Sequence, residues 1–153
     1  MEIYTDGSCI GDNSGGFAVV VIENDQLVDA HVQRYEDTTN NRMEILPILW
    51  SLEYYGKKNP PYITVYTDSA YCYNTFTDWI YKWAKNGWCR PNGKGVKNLD
   101  LVKRYYQLLC EDKNIDLKWV KGHADTKGNV LADLLATGQI TSFEEAKKWY
   151  TEH

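Results

Sequence analysis

"NNRMEILPILWSLEYY", residues 40–55, decides how the chain divides. Ile45, Ile48, Leu49, Leu52 and Tyr55 recur at helical spacing, which predicts a helix with one apolar stripe. Asn40 and Asn41 can cap its start and Gly56 can end it. Before it come "EIYTDGS" (2–8), "GFAVVVIE" (16–23) and "LVDAHVQRY" (27–35). The first and third alternate, with Val28, Ala30 and Val32 on one face of the third. The turn residues "NDQ" (24–26) join the last two, so the three read as an antiparallel meander. After it, two further strands, "YITVYTD" (62–68) and "IDLKWV" (115–120), alternate with helical patterns at 69–86, 98–112 (Asn98 as cap) and 126–138. A short final helix over 142–150 opens with a Ser142–Glu145 capping box. Strands that alternate with helices run parallel. The expected fold is α/β, a five-stranded mixed sheet with helices on both faces. Pro47 inside the first helix removes a hydrogen bond and predicts a kink near 43–47.

Glu44 raises a question on that helix. It lies about 40° around the axis from Ile48, at the rim of the apolar stripe. A carboxylate that loses water there needs a partner. Glu44 supports the helix start, pairs with Arg42, or serves as a ligand.

The chain has 153 residues, 43% of them hydrophobic, which suits one ordinary domain with a real core. No apolar run approaches the ~20 residues of a membrane span, and no secretory signal is present. Cys9, Cys72, Cys89 and Cys110 are scattered without a C-x-x-C, which disfavours a zinc site and suits reduced thiols in the cytoplasm. The net charge of −4 argues weakly against a nucleic-acid partner, but "KWAKNGWCRPNGKGVK" (82–97) holds Lys82, Lys85, Arg90, Lys94 and Lys97 and no acid. A local positive patch on an acidic body is a specific feature.

One string occurs twice, "YTDGS" (4–8) and "YTDSA" (66–70). In each, an Asp ends a strand, where ligands bind in open α/β sheets. If the two strands are parallel neighbours, Asp6 and Asp68 stand side by side and repel unless a cation lies between them. Either Asp can instead start a turn or cap a helix. Asp133, among Val130, Leu131, Leu134 and Leu135, also lies near a buried face. Four carboxylates from four elements would suit a hard divalent cation, with open positions for water and phosphate. His123, in "KGHAD" ahead of the Asp133 helix, is either a proton shuttle or a surface histidine.

Taken together, "YTDGSC" (4–9), "TTNNRME" (38–44), "YTDS" (66–69), "WVKGHA" (119–124) and "ADLLA" (132–136) make the sequence resemble the type I ribonuclease H family, of the bacterial single-domain kind. The stretch "WIYKWAKNGW…VKNLDL" (79–101) resembles that family's basic handle. The likeness runs to about residue 137, which implies a catalytic domain over 1–138 and a short C-terminal helical extension over 139–153. It implies metal ligation and catalysis by Asp6, Glu44, Asp68 and Asp133, with His123 assisting proton transfer or product release. Two Mg²⁺ ions per site are implied, with Mn²⁺ able to substitute. The implied activity is endonucleolytic hydrolysis of the RNA strand of an RNA–DNA hybrid by a cytoplasmic monomer, leaving 5′-phosphate and 3′-hydroxyl ends. Gly7, Ser8, Cys9, Asn40, Asn41 and the start of the helix after Asp68 match positions that read the RNA minor groove. Thr39 and Asn98 match positions that hold a DNA phosphate. Trp79, Trp83, Lys85 and Lys94 fall in the handle, where basic and aromatic residues suit a sugar-phosphate backbone; for the two tryptophans, core packing is the equal alternative. The sequence departs from the family at Asp37, where an Arg is expected, at Ala70 and in the short acidic loop "IGDNSGG" (10–16), changes that trim substrate contacts. A non-catalytic binding module, another nuclease of the same fold and a partner-binding protein remain the competing readings, and a hybrid-cleavage assay separates them.

Overall fold

Strand β1 (Glu2–Cys9) lies in the middle of the sheet. On one side it pairs antiparallel with β2 (Gly15–Glu23), which pairs antiparallel with β3 (Gln26–Tyr35). On the other it pairs parallel with β4 (Ile63–Thr67), which pairs parallel with β5 (Ile115–Trp119). The order β3-β2-β1-β4-β5 is the expected mixed five-stranded sheet. The computed structural model describes residues 1–11, 13–56, 63–90, 92–111, 115–121 and 126–153.

Strand alternation divides the core in two. Ile3, Phe17, Val19 and Val21 face α1 (Asn40–Gly56) and α4 (Leu99–Glu111), meeting Ile45, Ile48, Leu49 and Leu52 of the first and Leu101, Val102 and Tyr105 of the second. Tyr4, Ala18, Val20 and Ile22 face α5 (Lys127–Ala136) and α6 (Phe143–Glu152), meeting Leu131, Ala132 and Leu135, then Ala146 and Tyr150. Ser142 Oγ accepts from Glu145 N at 3.1 Å, as the capping box predicts, and Tyr150 donates its hydroxyl to Asp25 at 3.2 Å.

Three local expectations are revised. The hydroxyl that caps α1 belongs to Thr39, whose Oγ1 accepts from Arg42 N at 3.3 Å; this leaves Asn40 and Asn41 exposed in the first turn. Asn98, at φ 56°, stands at the cap position of α4, where its carbonyl accepts from Leu101 N and Val102 N at 3.0 Å, but its side chain turns to Arg42 and the Tyr71 hydroxyl. Val28 and Val32 are exposed because β3 is the sheet edge and α5 lies mainly over β1 and β2. The helical pattern at 69–86 forms two short helices, α2 (Ala70–Asn74) and α3 (Ile80–Lys85), joined without a break by a π-helical turn over Thr75–Trp79. Helix α1 runs unbroken through Pro47, and Ser51 Oγ donates to the Pro47 carbonyl at 2.6 Å.

Candidate active site

Parallel pairing aligns Tyr4 with Tyr66, so the two "YTD" strings run side by side at the carboxyl edge of β4, although Asp6 does not end its strand as expected, because β1 stays paired with β2 as far as Cys9. Helix α1 starts at the same edge. Pro47 has no N–H to offer the Met43 carbonyl, and Gly7 packs against that carbonyl. A Cβ on Gly7 would overlap it and lie 2.7 Å from Glu44 N, so the absence of a side chain lets the helix reach β1.

This approach brings Glu44 to the two aspartates. One carboxylate oxygen from each of Asp6, Glu44 and Asp68 lies within 4.8 Å of the others. Asp133, from α5, comes within hydrogen-bonding reach of Asp6. Asp6 is 4% exposed and Glu44 7%, while Asp68 and Asp133 are half-buried. Burial first, then the Asp68 and Asp133 carboxyls, pushes the Asp6 carboxyl up to about 8; a hydrogen bond from Gly7 N to Asp6 Oδ1 at 3.0 Å opposes this. Burial, followed by Asp6 and Asp68, holds Glu44 well above the usual carboxylate range. Glu44 Oε2 is buried and finds no hydrogen-bond partner among the described residues.

Pairing of Glu44 with Arg42 is excluded. The Arg42 guanidinium makes a two-pronged contact with Asp100, at 3.1 and 2.9 Å, and touches Asn98 Oδ1 at 3.4 Å. Among the described residues no Lys or Arg forms an ion pair with Asp6 or Glu44. Clustered buried carboxylates, an orphaned oxygen and an all-oxygen donor set fit a hard divalent cation. His123 lies outside the described residues.

Gly7, Ser8 and Cys9, half-exposed, continue β1 past the carboxylates, and Asn40 and Asn41 stand at the same edge. Arg42 bridges Thr39 and Asn98 through its backbone N–H and its guanidinium, so those two residues flank one spot. In the handle, Trp83 is 8% exposed and belongs to the core, whereas Trp79 is 37% exposed. Both contribute to a groove of about 570 Å³ lined also by Lys82, Asn86, Arg90 and Asn92. Lys85 and Lys94 are exposed but do not line it. Of the groove residues, the sequence reading passed over Asn86 and Asn92; Asn86 had a signal, since Trp79, Lys82, Trp83 and Asn86 recur at helical spacing.

A family model described as RNase H matches residues 1–141. Ribonuclease H of Rickettsia canadensis is 43% identical over 150 residues, covering 96% of this chain and 94% of the relative. Ribonuclease HI of Rickettsia conorii is 45% identical over 150 residues, covering 96% and 95%. Among solved structures, the PFV RNase H domain superposes with a TM-score of 0.79 at 26% identity, covering 90% of this chain and 92% of that one. LC9-RNase H1, described as a type 1 RNase H with the type 2 active-site motif, gives 0.71 at 28% identity, covering 91% and 72%. With a sheet of this order, a carboxylate cluster at its carboxyl edge and a family match along nearly its whole length, this chain belongs to the ribonuclease H family of nucleases.

Proposed function

We propose that the protein cleaves the RNA strand of RNA–DNA hybrids by two-metal-ion hydrolysis, leaving 5′-phosphate and 3′-hydroxyl ends. The observation that carries this reading is the buried cluster of Asp6, Glu44 and Asp68, with Asp133 beside it and the Glu44 Oε2 atom unsatisfied. These four residues would hold the ions, Mg²⁺ or in its place Mn²⁺. When bound, the pair would supply activation of the attacking water and stabilisation of charge on the phosphate and leaving 3′-oxygen. The chain's own part is to keep four anionic oxygens preorganised. Burial raises the proton affinity of Asp6 and Glu44, so a bound cation, by displacing their protons to solvent, would hold both in the anionic form. His123 is assigned proton transfer or product release.

Strand discrimination falls to the backbone of Gly7–Cys9 and to Asn40 and Asn41, which would read 2′-hydroxyls in the shallow minor groove. Thr39 and Asn98, flanking Arg42, would seat a DNA phosphate, and the Trp79–Arg90 groove would follow the DNA backbone. The site is assembled within one chain, which suits a monomer, and four free thiols suit the cytoplasm.

The test is cleavage of a labelled RNA–DNA hybrid in Mg²⁺, beside matched single-stranded RNA, RNA duplex and DNA duplex. Cutting confined to the RNA of the hybrid, and abolished by Asp6→Asn and by EDTA, is expected. Absence of cutting in both Mg²⁺ and Mn²⁺ sinks the reading.

A further inference from the structure

Asp133 is the carboxylate that depends most on a helix end. It lies one turn from the end of α5, and its own carbonyl accepts from Thr137 N at 3.0 Å and Thr137 Oγ1 at 2.9 Å. At the other end, the capping residue Thr126 makes no side-chain bond to the first turn. The first turn is held by packing instead, Gly128 against Tyr4 and the Lys127 ammonium over the Tyr150 ring, and the last turn by polar contacts.

What holds it comes from two strands away. Arg34, on the edge strand β3, donates Nη2–H to the Leu135 carbonyl at 3.1 Å and Nη1–H to the Ala136 carbonyl. A guanidinium forked over the last carbonyls gives the Ala136 carbonyl a partner, adds a second donor to the Leu135 carbonyl, which also accepts from Gly138 N at 3.2 Å, and places positive charge at the negative end of the helix. The surroundings leave room for it. Gly16 faces Arg34 in the β2–β3 register, and a Cβ there would run into the guanidinium. Gly138, which closes α5 at φ 83°, would place a Cβ 3.2 Å from Nη2. Asp6 reaches the site through the β3-β2-β1 ladder, and Asp133 reaches it through β3, Arg34 and α5. Both carboxylates are thus referred to the same edge strand.

We propose that Arg34 is a positioning residue: by clamping the last turn of α5 to the sheet edge it fixes Asp133 against Asp6. This rests on the metal-dependent hydrolase reading above. Without the clamp, the helix end frays, Asp133 samples positions away from Asp6, and the ion that Asp133 helps to hold binds more weakly. The fully loaded site still cleaves.

The experiment compares wild type, Arg34→Met and Arg34→Lys. It reads the Mg²⁺ concentration at half-maximal hybrid cleavage, the rate at saturating Mg²⁺, and amide hydrogen exchange across the chain. Arg34→Met is expected to raise the half-maximal Mg²⁺ concentration by about 10-fold. Its rate at saturating metal should stay within about 2-fold of wild type. Exchange should quicken at the amides of Thr137, Gly138 and Gln139, while those of β1 and α1 keep their protection. Arg34→Lys keeps the charge but loses the fork, so it should fall between the two. An unmoved Mg²⁺ midpoint, even with faster exchange at the end of α5, overturns the proposal and leaves Arg34 a helix cap. If Arg34→Met does not fold, Arg34→Lys decides alone by whether its midpoint rises. A wild type that fails to cut the hybrid overturns the hydrolase reading and this inference with it; a wild type that cuts, with variants whose midpoints match it, overturns only the role of Arg34.

Discussion

A methyl group at Gly7 would overlap the Met43 carbonyl and stand 2.7 Å from the Glu44 amide nitrogen. Backbone on backbone leaves little room to yield, so Gly7→Ala must push α1 away from β1. The expected cost is about 1–3 kcal/mol of stability. The displacement of Glu44 should lower cleavage by roughly 100-fold at fixed Mg²⁺. Thermal unfolding and single-turnover rates check both; a variant that keeps its rate would show that Glu44 does not depend on the close approach. Asp6 supports a pH prediction. Its carboxyl titrates at about 8 in the fold, above its value in the unfolded chain, so the fold favours the protonated form. That contribution is complete below about pH 4 and is lost as pH rises through about 8. In EDTA the melting temperature should therefore fall across that window, and Mg²⁺ should restore more of it at pH 8 than at pH 5. Asp6→Asn removes the repulsion, so the metal-free protein should gain roughly 1–2 kcal/mol while losing activity. A metal-free Asp6→Asn melting no higher than wild type at pH 8 would contradict this. At this scale the sequence exposed Glu44 because a carboxylate on the rim of an apolar stripe breaks a local pattern. It did not expose the partner of Arg42, since Asp100 is 58 positions away and only the packing of α4 brings it near. Nor did it separate Thr39 from the Asn pair as cap, because all three side chains can accept the same bond.

Helices and strands were legible wherever one side faced the core and the other faced water. The mixed character of the sheet followed from the alternation of later strands with helices, and both "YTD" strings met once β1 and β4 proved to be parallel neighbours. Edge effects and a register insertion were not legible. β3 carries apolar residues on a face that α5 barely reaches, so its pattern promised more burial than the edge receives. The π-helical turn adds a residue to one turn between α2 and α3, which resets the helical phase ahead of the handle. Trp79 closes that turn at the surface, while Trp83 is buried against the α4 side of the core. Paired substitutions separate their roles. Trp83→Ala should cost about 3–5 kcal/mol of stability, as expected for an aromatic core truncation. Trp79→Ala should leave stability within about 1 kcal/mol of wild type and instead weaken hybrid binding by roughly 5- to 100-fold, the range for losing one aromatic contact to nucleic acid. Denaturant melts beside hybrid-binding isotherms distinguish the two. Equal stability losses would mean that the π turn does not divide the handle into a packed and a wet half.

Charge is a property of the whole molecule, and here it is divided against itself. The chain carries −4 overall, yet its handle is basic over 82–97, so hybrid binding must come from local contacts against an unfavourable average field. Part of the handle is already spent internally: Lys82 pairs with Asp78 at 3.4 Å, and Arg90 Nε–H donates to the Gly95 carbonyl at 3.1 Å. About four phosphates should therefore be neutralised, giving a slope of log K against log salt near −3 to −4. A slope steeper than about −6 would require cationic contacts beyond the handle. Asp37 tests the repulsive side of the same balance. It is exposed, at φ 51°, just ahead of Thr39 and the start of α1. Asn tolerates that left-handed conformation as well as Asp does, so Asp37→Asn removes one negative charge with little backbone cost. At 50 mM salt it should tighten hybrid binding by about 2- to 5-fold, and at 1 M salt, where the Debye length is about 3 Å, the gain should vanish. The cleavage rate at saturating hybrid should not change, because Asp6, Glu44 and Asp133 sit on other elements and Asp68 just past β4. A gain that survived high salt would point to a direct contact made by the new amide, whereas no gain at low salt would place the DNA backbone out of reach of this loop.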